Sequence, residues 1–97
     1  MAYKLVVTTD TGKDIDKATE WYVNIRKPLA KRFLAELFAT KKYIHKNPNK
    51  LETKYKNVRV AFMRKFPYGL HYTFENKTVT ILAVFHTSEN PTNWRNR

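Results

Sequence analysis

Residues 78–85, Thr-Val-Thr-Ile-Leu-Ala-Val-Phe, limit what this chain can fold into more than any other stretch. The run is rich in β-branched residues and apolar on both faces. Val79, Ile81, Ala83 and Phe85 alternate to one side, with Leu82 and Val84 on the other. A strand with two apolar faces belongs in the middle of a covered sheet. It ends on His86 and a polar tail, which sets a titratable group at the rim of a hydrophobic platform. Two more strands precede it. One covers residues 58–63 and turns near Arg64 and Lys65. The other carries Tyr68, Leu70, Tyr72 and Phe74 on one face and His71, Thr73 and Glu75 on the other. Pro67 cannot donate to a ladder and marks a strand entry or edge. Asn76-Lys77 reads as a tight hairpin turn, because asparagine tolerates positive φ. Residues 51–57 read as a basic, irregular approach to these strands.

The N-terminal half supplies packing for the sheet. Tyr3, Leu5 and Val7 alternate with Lys4, Val6 and Thr8, which predicts a strand over residues 3–9. Asp10-Thr11-Gly12-Lys13 has turn chemistry. Asp16 is a suitable N-cap for a first helix, and Ala18, Trp21, Tyr22 and Ile25 then fall at helical spacing as one apolar stripe. Pro28 bends the pattern and suits the first turn of a second helix. Ala30, Phe33, Leu34, Leu37, Lys41 and Ile44 continue the stripe up to Asn47-Pro48-Asn49, a strong breaker. His45 falls in the last turn, where a cation is favoured by the helix dipole. The expected architecture is one α+β domain over residues 1–97. It consists of an N-terminal strand, a two-helix hairpin and a three-stranded antiparallel meander, with the helices covering one face of an antiparallel sheet.

Several chemistries are disfavoured. Gly12 and Gly69 are the only glycines, so no glycine-rich phosphate loop is present. His45, His71 and His86 lack metal-ligand spacing and no cysteine joins them, so no metal or other cofactor is expected. Without cysteine there is no disulfide or thiol chemistry. The N-terminus has no signal-peptide pattern, and no apolar run approaches the ~20 residues of a membrane helix, so the cytoplasm is the default location. Lys65-Phe66-Pro67-Tyr68-Gly69 does not fit the signature of RNA-recognition sheets.

The charge is one-sided. The formal net charge is +11, from 19 Lys and Arg against 8 Asp and Glu. Between positions 41 and 65 Glu52 is the only acid among a crowd of cations. Such a surface attracts polyanions, and Lys54, Lys56, Arg59, Arg64 and Lys65 are the candidate nucleic-acid contacts.

A set of short motifs, spread in order over nearly the whole chain, resembles the RelE/ParE superfamily of bacterial type II toxins, and its ParE branch in detail. These are Trp21-Tyr22, Leu29-Ala30-Lys31-Arg32-Phe33, Ile44 with Asn47-Pro48, Val58-Arg59, Phe66-Pro67-Tyr68, Tyr72 and Ile81-Leu82-Ala83-Val84-Phe85-His86, with Pro91, Trp94 and Arg97 in the tail. Glu89 departs from the pattern, since similar proteins usually carry a basic residue there. The resemblance implies a growth-arresting, plasmid-stabilising type of toxin that poisons DNA gyrase. It also implies a cognate acidic antitoxin in a hetero-oligomer. The basic surface and an exposed first or last strand edge suit an acidic segment that is disordered alone and folds on binding, laying an apolar helix near the helical hairpin and adding a strand to the sheet. The RelE branch instead cuts messenger RNA on the ribosome. That chemistry needs an acid, a base and cations around the phosphate. On that alternative His86 would move the proton and Arg59 and Arg64 would join it as catalytic residues, with Lys54 and Lys56 as further cations. Only that alternative makes the chain an enzyme. A third possibility is a basic nucleic-acid-binding or interaction domain without toxicity.

Overall fold

The structure is a computed structural model, and it describes residues 3–90. The elements run β1 (Lys4–Val7), α1 (Thr9–Ile25), α2 (Lys27–Lys46), β2 (Thr53–Tyr55), β3 (Val58–Phe62), β4 (Tyr68–Glu75) and β5 (Thr78–His86). One five-stranded sheet has the order β1-β5-β4-β3-β2. The last three strands form the expected antiparallel meander, and the two helices cover one face. β5 is the interior strand its composition demands. Two features differ from the sequence reading. Thr53–Tyr55 form a fifth, short edge strand where an irregular approach was expected. β1 runs parallel to β5, so the sheet is mixed rather than antiparallel.

The first helix begins seven residues earlier than Asp16. Thr8 is its N-cap, with Oγ1 accepting from Thr11 N at 3.2 Å. Asp10-Thr11-Gly12-Lys13 is therefore helical. The reason is tertiary. β1 stops at Val7, opposite Ile81, so the remaining half of β5 has no strand partner on that side. The start of α1 takes its place. Thr11 is fully buried and donates through Oγ1 to the Ile81 carbonyl at 2.8 Å, while Asp14 Oδ2 accepts from Val84 N at 3.0 Å. Thr8, Thr11 and Asp14 recur every three residues and so share a helix face. Buried backbone groups must be paired, and this face pairs those that β1 leaves open.

Arg26 ends α1 in an extended conformation and is also the N-cap of α2, with Pro28 in the first turn. α2 ends at Lys46, before the breaker, and His45 Nε2 is hydrogen-bonded to the Tyr3 carbonyl, tying the end of α2 to the start of β1. The α2 stripe holds as read: Ala30, Phe33, Leu37 and Ile44 are buried and Leu34 is half-buried. The α1 stripe does not. Ala18 and Tyr22 are buried, but Trp21 is 62% exposed and Ile25 57%.

Alternation along β5 is broken once. Tyr72 pairs with Ile81 and His71 with Ala83, which leaves Leu82 as an extra residue in a β-bulge. Val79 and Ile81 face the helices, and after the bulge Val84 does so as well. Ala83 and Phe85 are buried outside that core, with Phe85 edge-on to His71 at 5.0 Å between centroids. The single-faced grouping of Val79, Ile81, Ala83 and Phe85 is thus corrected, and so is that of Leu82 with Val84.

Candidate functional site

The corner formed by Phe66, Pro67 and Tyr68 positions the C-terminal end of β5. Phe66 is buried edge-on against Tyr22 and Phe33, with centroids 5.2 and 5.6 Å apart. Tyr68 packs on Phe33 at 5.3 Å. Thr87 N donates to the Pro67 carbonyl at 2.8 Å, which fixes the chain just past His86. Edge-to-face rings of this kind add to the burial energy by about 0.5–1.5 kcal/mol per pair. The aromatic corner therefore acts as a rigid mount.

His86 stands on this mount. Its ring meets Tyr68 edge-on at 5.2 Å. Its Nδ1 accepts from Ser88 N at 3.0 Å and lies 2.7 Å from Ser88 Oγ. In the tautomer whose Nδ1 accepts this bond, the ring N–H is on Nε2. The residue lines an open cleft of about 730 Å³ between α1 and the end of β5, shared with Asp14, Lys17, Trp21, Tyr68 and Glu89. Burial, reinforced by the neighbouring Tyr22 hydroxyl, holds the Tyr68 phenol above its ordinary pKa, so at neutral pH it is a donor and not a base.

Arg59 is elsewhere. It lies opposite Tyr72 on β3, and Tyr68, four residues further along β4, is the residue opposite His86. At ~3.3 Å per residue and ~4.8 Å per strand, this separates Arg59 from His86 by well over 10 Å. Its Nη1 donates to the carbonyls of Leu51 and Asn49, while its Nε is buried without a hydrogen-bond partner. Beside it the buried Tyr72 hydroxyl donates to the Pro48 carbonyl at 3.1 Å. Burial raises the Tyr72 pKa, and the Arg59 charge opposes that rise. The pair staples loop 47–51 to the sheet. Arg64 leaves the sheet at the same end as His86 but lines a different groove, about 390 Å³, with Tyr43, Leu51 and Phe62. The structure thus brings His86 and Tyr68 together and leaves Arg59 and Arg64 outside their cleft.

Among the nucleic-acid candidates, Lys54 on β2, Lys56 in the β2–β3 turn, and Arg64 and Lys65 in the β3–β4 turn are exposed, and Arg59 is turned inward. Sequence reading overlooked Tyr55, whose hydroxyl lies 2.9 Å from Nδ1 of the buried His71. It also overlooked Phe62, which is 55% exposed beside Lys54. Pro91, Trp94 and Arg97 lie outside the described residues. Among the described residues no group of His, Cys, Asp and Glu side chains could hold a metal ion, and no helix is long and apolar enough to cross a membrane.

Two helices over one face of a mixed sheet, with a histidine-ended interior strand on an aromatic corner, define a small α+β domain. The model of the ParE toxin of the type II toxin-antitoxin system, parDE, matches residues 5–91, and the chain belongs to that family. The fold is similar to that of a chain in the chromosomal ParDE toxin-antitoxin system from P. aeruginosa. The TM-score is 0.77 at 18% identity, covering 88% of this chain and 96% of that one. It is also similar to a chain in the toxin-antitoxin complex RelBE2 from Mycobacterium tuberculosis, with a TM-score of 0.60, 23% identity and coverage of 89% and 99%. No curated protein sequence matches the chain.

Proposed function

We propose that this toxin arrests growth by binding and poisoning DNA gyrase and that a cognate acidic antitoxin neutralises it. The observation that carries the gyrase reading is the separation of His86 from Arg59 and Arg64. Ribonuclease chemistry needs proton transfer and charge stabilisation around one phosphate. Here Arg59 is occupied by the carbonyls of Asn49 and Leu51, and Arg64 lines another groove. A protein-binding poison needs a surface and no such convergence.

The antitoxin reading is supported by the apolar surface of the two helices. Val23, Ile25 and Phe38 are exposed on them, and Trp21 is exposed at the cleft between α1 and β5. A small apolar pocket of about 80 Å³ lies between the helices and the sheet, lined by Val7, Ile15, Leu34 and Phe38 with Lys41 at its side. An amphipathic helix reads such a groove with its apolar face. At a net charge of +11, acidic residues on that helix would accelerate docking at low salt.

The test is a supercoiling assay with purified gyrase, run beside a primer-extension map of transcripts after brief induction. Loss of supercoiling with transcripts intact is the expected result. Cuts within codons that require the ribosome, with supercoiling unaffected, would overturn the gyrase reading in favour of ribonuclease. Undisturbed growth on induction would leave only a non-toxic interaction domain. A His86→Ala protein that still folds should keep most of its toxicity, whereas loss of a general acid or base typically costs ~10²–10⁴ in rate.

A further inference from the structure

Phe62 closes β3 on the face of the sheet away from the helices, directly opposite Gly69. A Cβ at Gly69 would come within 3.3 Å of the Phe62 Cδ1 and Cε1 atoms and 2.9 Å of Val60 Cγ1. Glycine is therefore what lets the ring lie across β4. One side of the ring is against the sheet, and the residue remains 55% exposed. Lys54, from the edge strand, places Nζ 5.5 Å from the ring centroid.

Cations flank the ring in both directions. Arg64 and Lys65 follow it in the turn to β4, and Lys56 occupies the β2–β3 turn; all are exposed. Lys56 and Lys65 adopt φ values of 47° and 67°. That left-handed region favours glycine or asparagine and is costly for lysine. The chain thus keeps lysine at these two turns where glycine would be easier to accommodate, as it also does at Lys77 in the β4–β5 turn outside this edge. An isolated exposed phenylalanine signifies little. A flat aromatic with a cation beside it, on a surface where Lys54, Lys56, Arg64 and Lys65 outnumber the acids Glu52, Glu36 in the groove beside Phe62 and Glu75 bonded to Asn57, has the makings of a stacking platform.

We propose that the β2–β3 edge binds single-stranded nucleic acid, with a base stacked on Phe62 and the backbone phosphates on Lys54, Lys56, Arg64 and Lys65. A single strand is required because a paired base has no free face to offer the ring. Arg59 takes no part, since its guanidinium holds loop 47–51. The inference does not depend on the gyrase reading, and its test contains no gyrase.

The experiment is fluorescence anisotropy of the full-length chain with labelled 20-mers of dT and of rU and with a 20-base-pair duplex, from 50 to 300 mM KCl. Both single strands are expected to bind more tightly than the duplex, and the dT and rU arms show whether the sugar matters. Four phosphate contacts predict a slope of log K against log salt of about −3, at ~0.7 per contact for single strands. Phe62→Ala should weaken binding about tenfold, and Phe62→Trp should restore it. Lys56→Gly and Lys65→Gly should each flatten the slope by about 0.7 while raising the urea midpoint, because glycine relieves the backbone. Loss of affinity in a more stable protein cannot be assigned to unfolding. Absence of binding would overturn the proposal, as would duplex binding as tight as single-strand binding, or Phe62→Ala indistinguishable from the parent. Phe62-dependent binding of a poly-glutamate peptide at the strength of the oligonucleotides would assign the edge to a protein partner and also overturn it.

Discussion

Ile81→Ala and Leu82→Ala should differ sharply in cost although the two residues are neighbours on an apolar strand. Ile81 is 2% exposed and belongs to the core between sheet and helices, whereas Leu82 is the half-buried extra residue of the bulge. Truncating isoleucine to alanine removes three carbons, worth about 0.8 kcal/mol each when fully buried, or roughly 2.4 kcal/mol. A residual cavity adds to this, at about 24 cal/mol per Å³ that fails to collapse. Ile81 already borders the small pocket beside Val7 and Leu34, so the wall has little to collapse onto. The expected loss is about 3–4 kcal/mol for Ile81→Ala. For Leu82→Ala it is about 1–1.5 kcal/mol, since roughly half of its transfer energy is at stake. Urea denaturation followed by circular dichroism measures both. In a domain of this size about 3 kcal/mol corresponds to a fall in Tm of roughly 12–24 °C. Equal losses, or a larger one at Leu82, would refute the bulge and restore strict alternation along β5.

Asp14→Ala should cost about 1–3 kcal/mol by removing the acceptor for Val84 N, and Asp14→Asn should recover most of it; urea midpoints of the two variants test this. Lys77→Gly should stabilise the protein by about 0.5–1 kcal/mol, because Asn76 and Lys77 sit at φ 53° and 58° in a two-residue hairpin that favours Asn-Gly, and a lower thermal midpoint would contradict it. Burial raises the pKa of Tyr55, Tyr68 and Tyr72 above 10.0. Their protonated forms therefore favour the fold fully below pH 10, and that contribution disappears as the pH rises through the raised values. Urea midpoints between pH 8 and 11.5 should fall, and less steeply in Tyr72→Phe; parallel slopes would rule out a Tyr72 contribution.

Much of this fold is legible in the chain because its signals are local. Period-2 and period-3.6 patterns place the three last strands and the second helix, and Asn47-Pro48-Asn49 and Asn76-Lys77 punctuate them. The motif order carries the resemblance to the toxin family. The misread parts are those where a distant segment decides. Asp10-Thr11-Gly12-Lys13 has the composition of a turn, yet Ile81 and Val84 offer backbone groups that only a helix with Thr8, Thr11 and Asp14 on one face can meet. A Thr-x-x-Thr-x-x-Asp spacing ahead of Ala18 and Tyr22 was the available signal. Thr53–Tyr55 become a strand because β3 offers them a partner.

The same division holds for the candidate sites. The sequence by itself determined that one covered interior strand would end in a histidine, that cations would crowd the chain between positions 41 and 65, and that the chain belongs with the ParE-like toxins. It could not determine which side chains share a cleft. Arg59 and His86 both read as reactive groups near strands, but strand register places them in different regions, and the free carbonyls of loop 47–51 claim the arginine. Phe62 and Gly69 were unremarkable in sequence until cross-strand pairing laid one on the other. Periodicity depends on neighbours a few residues away. A cleft, a bulge or a stacking surface depends on which backbone groups and faces remain unpaired after the sheet has closed, and only the tertiary structure decides that.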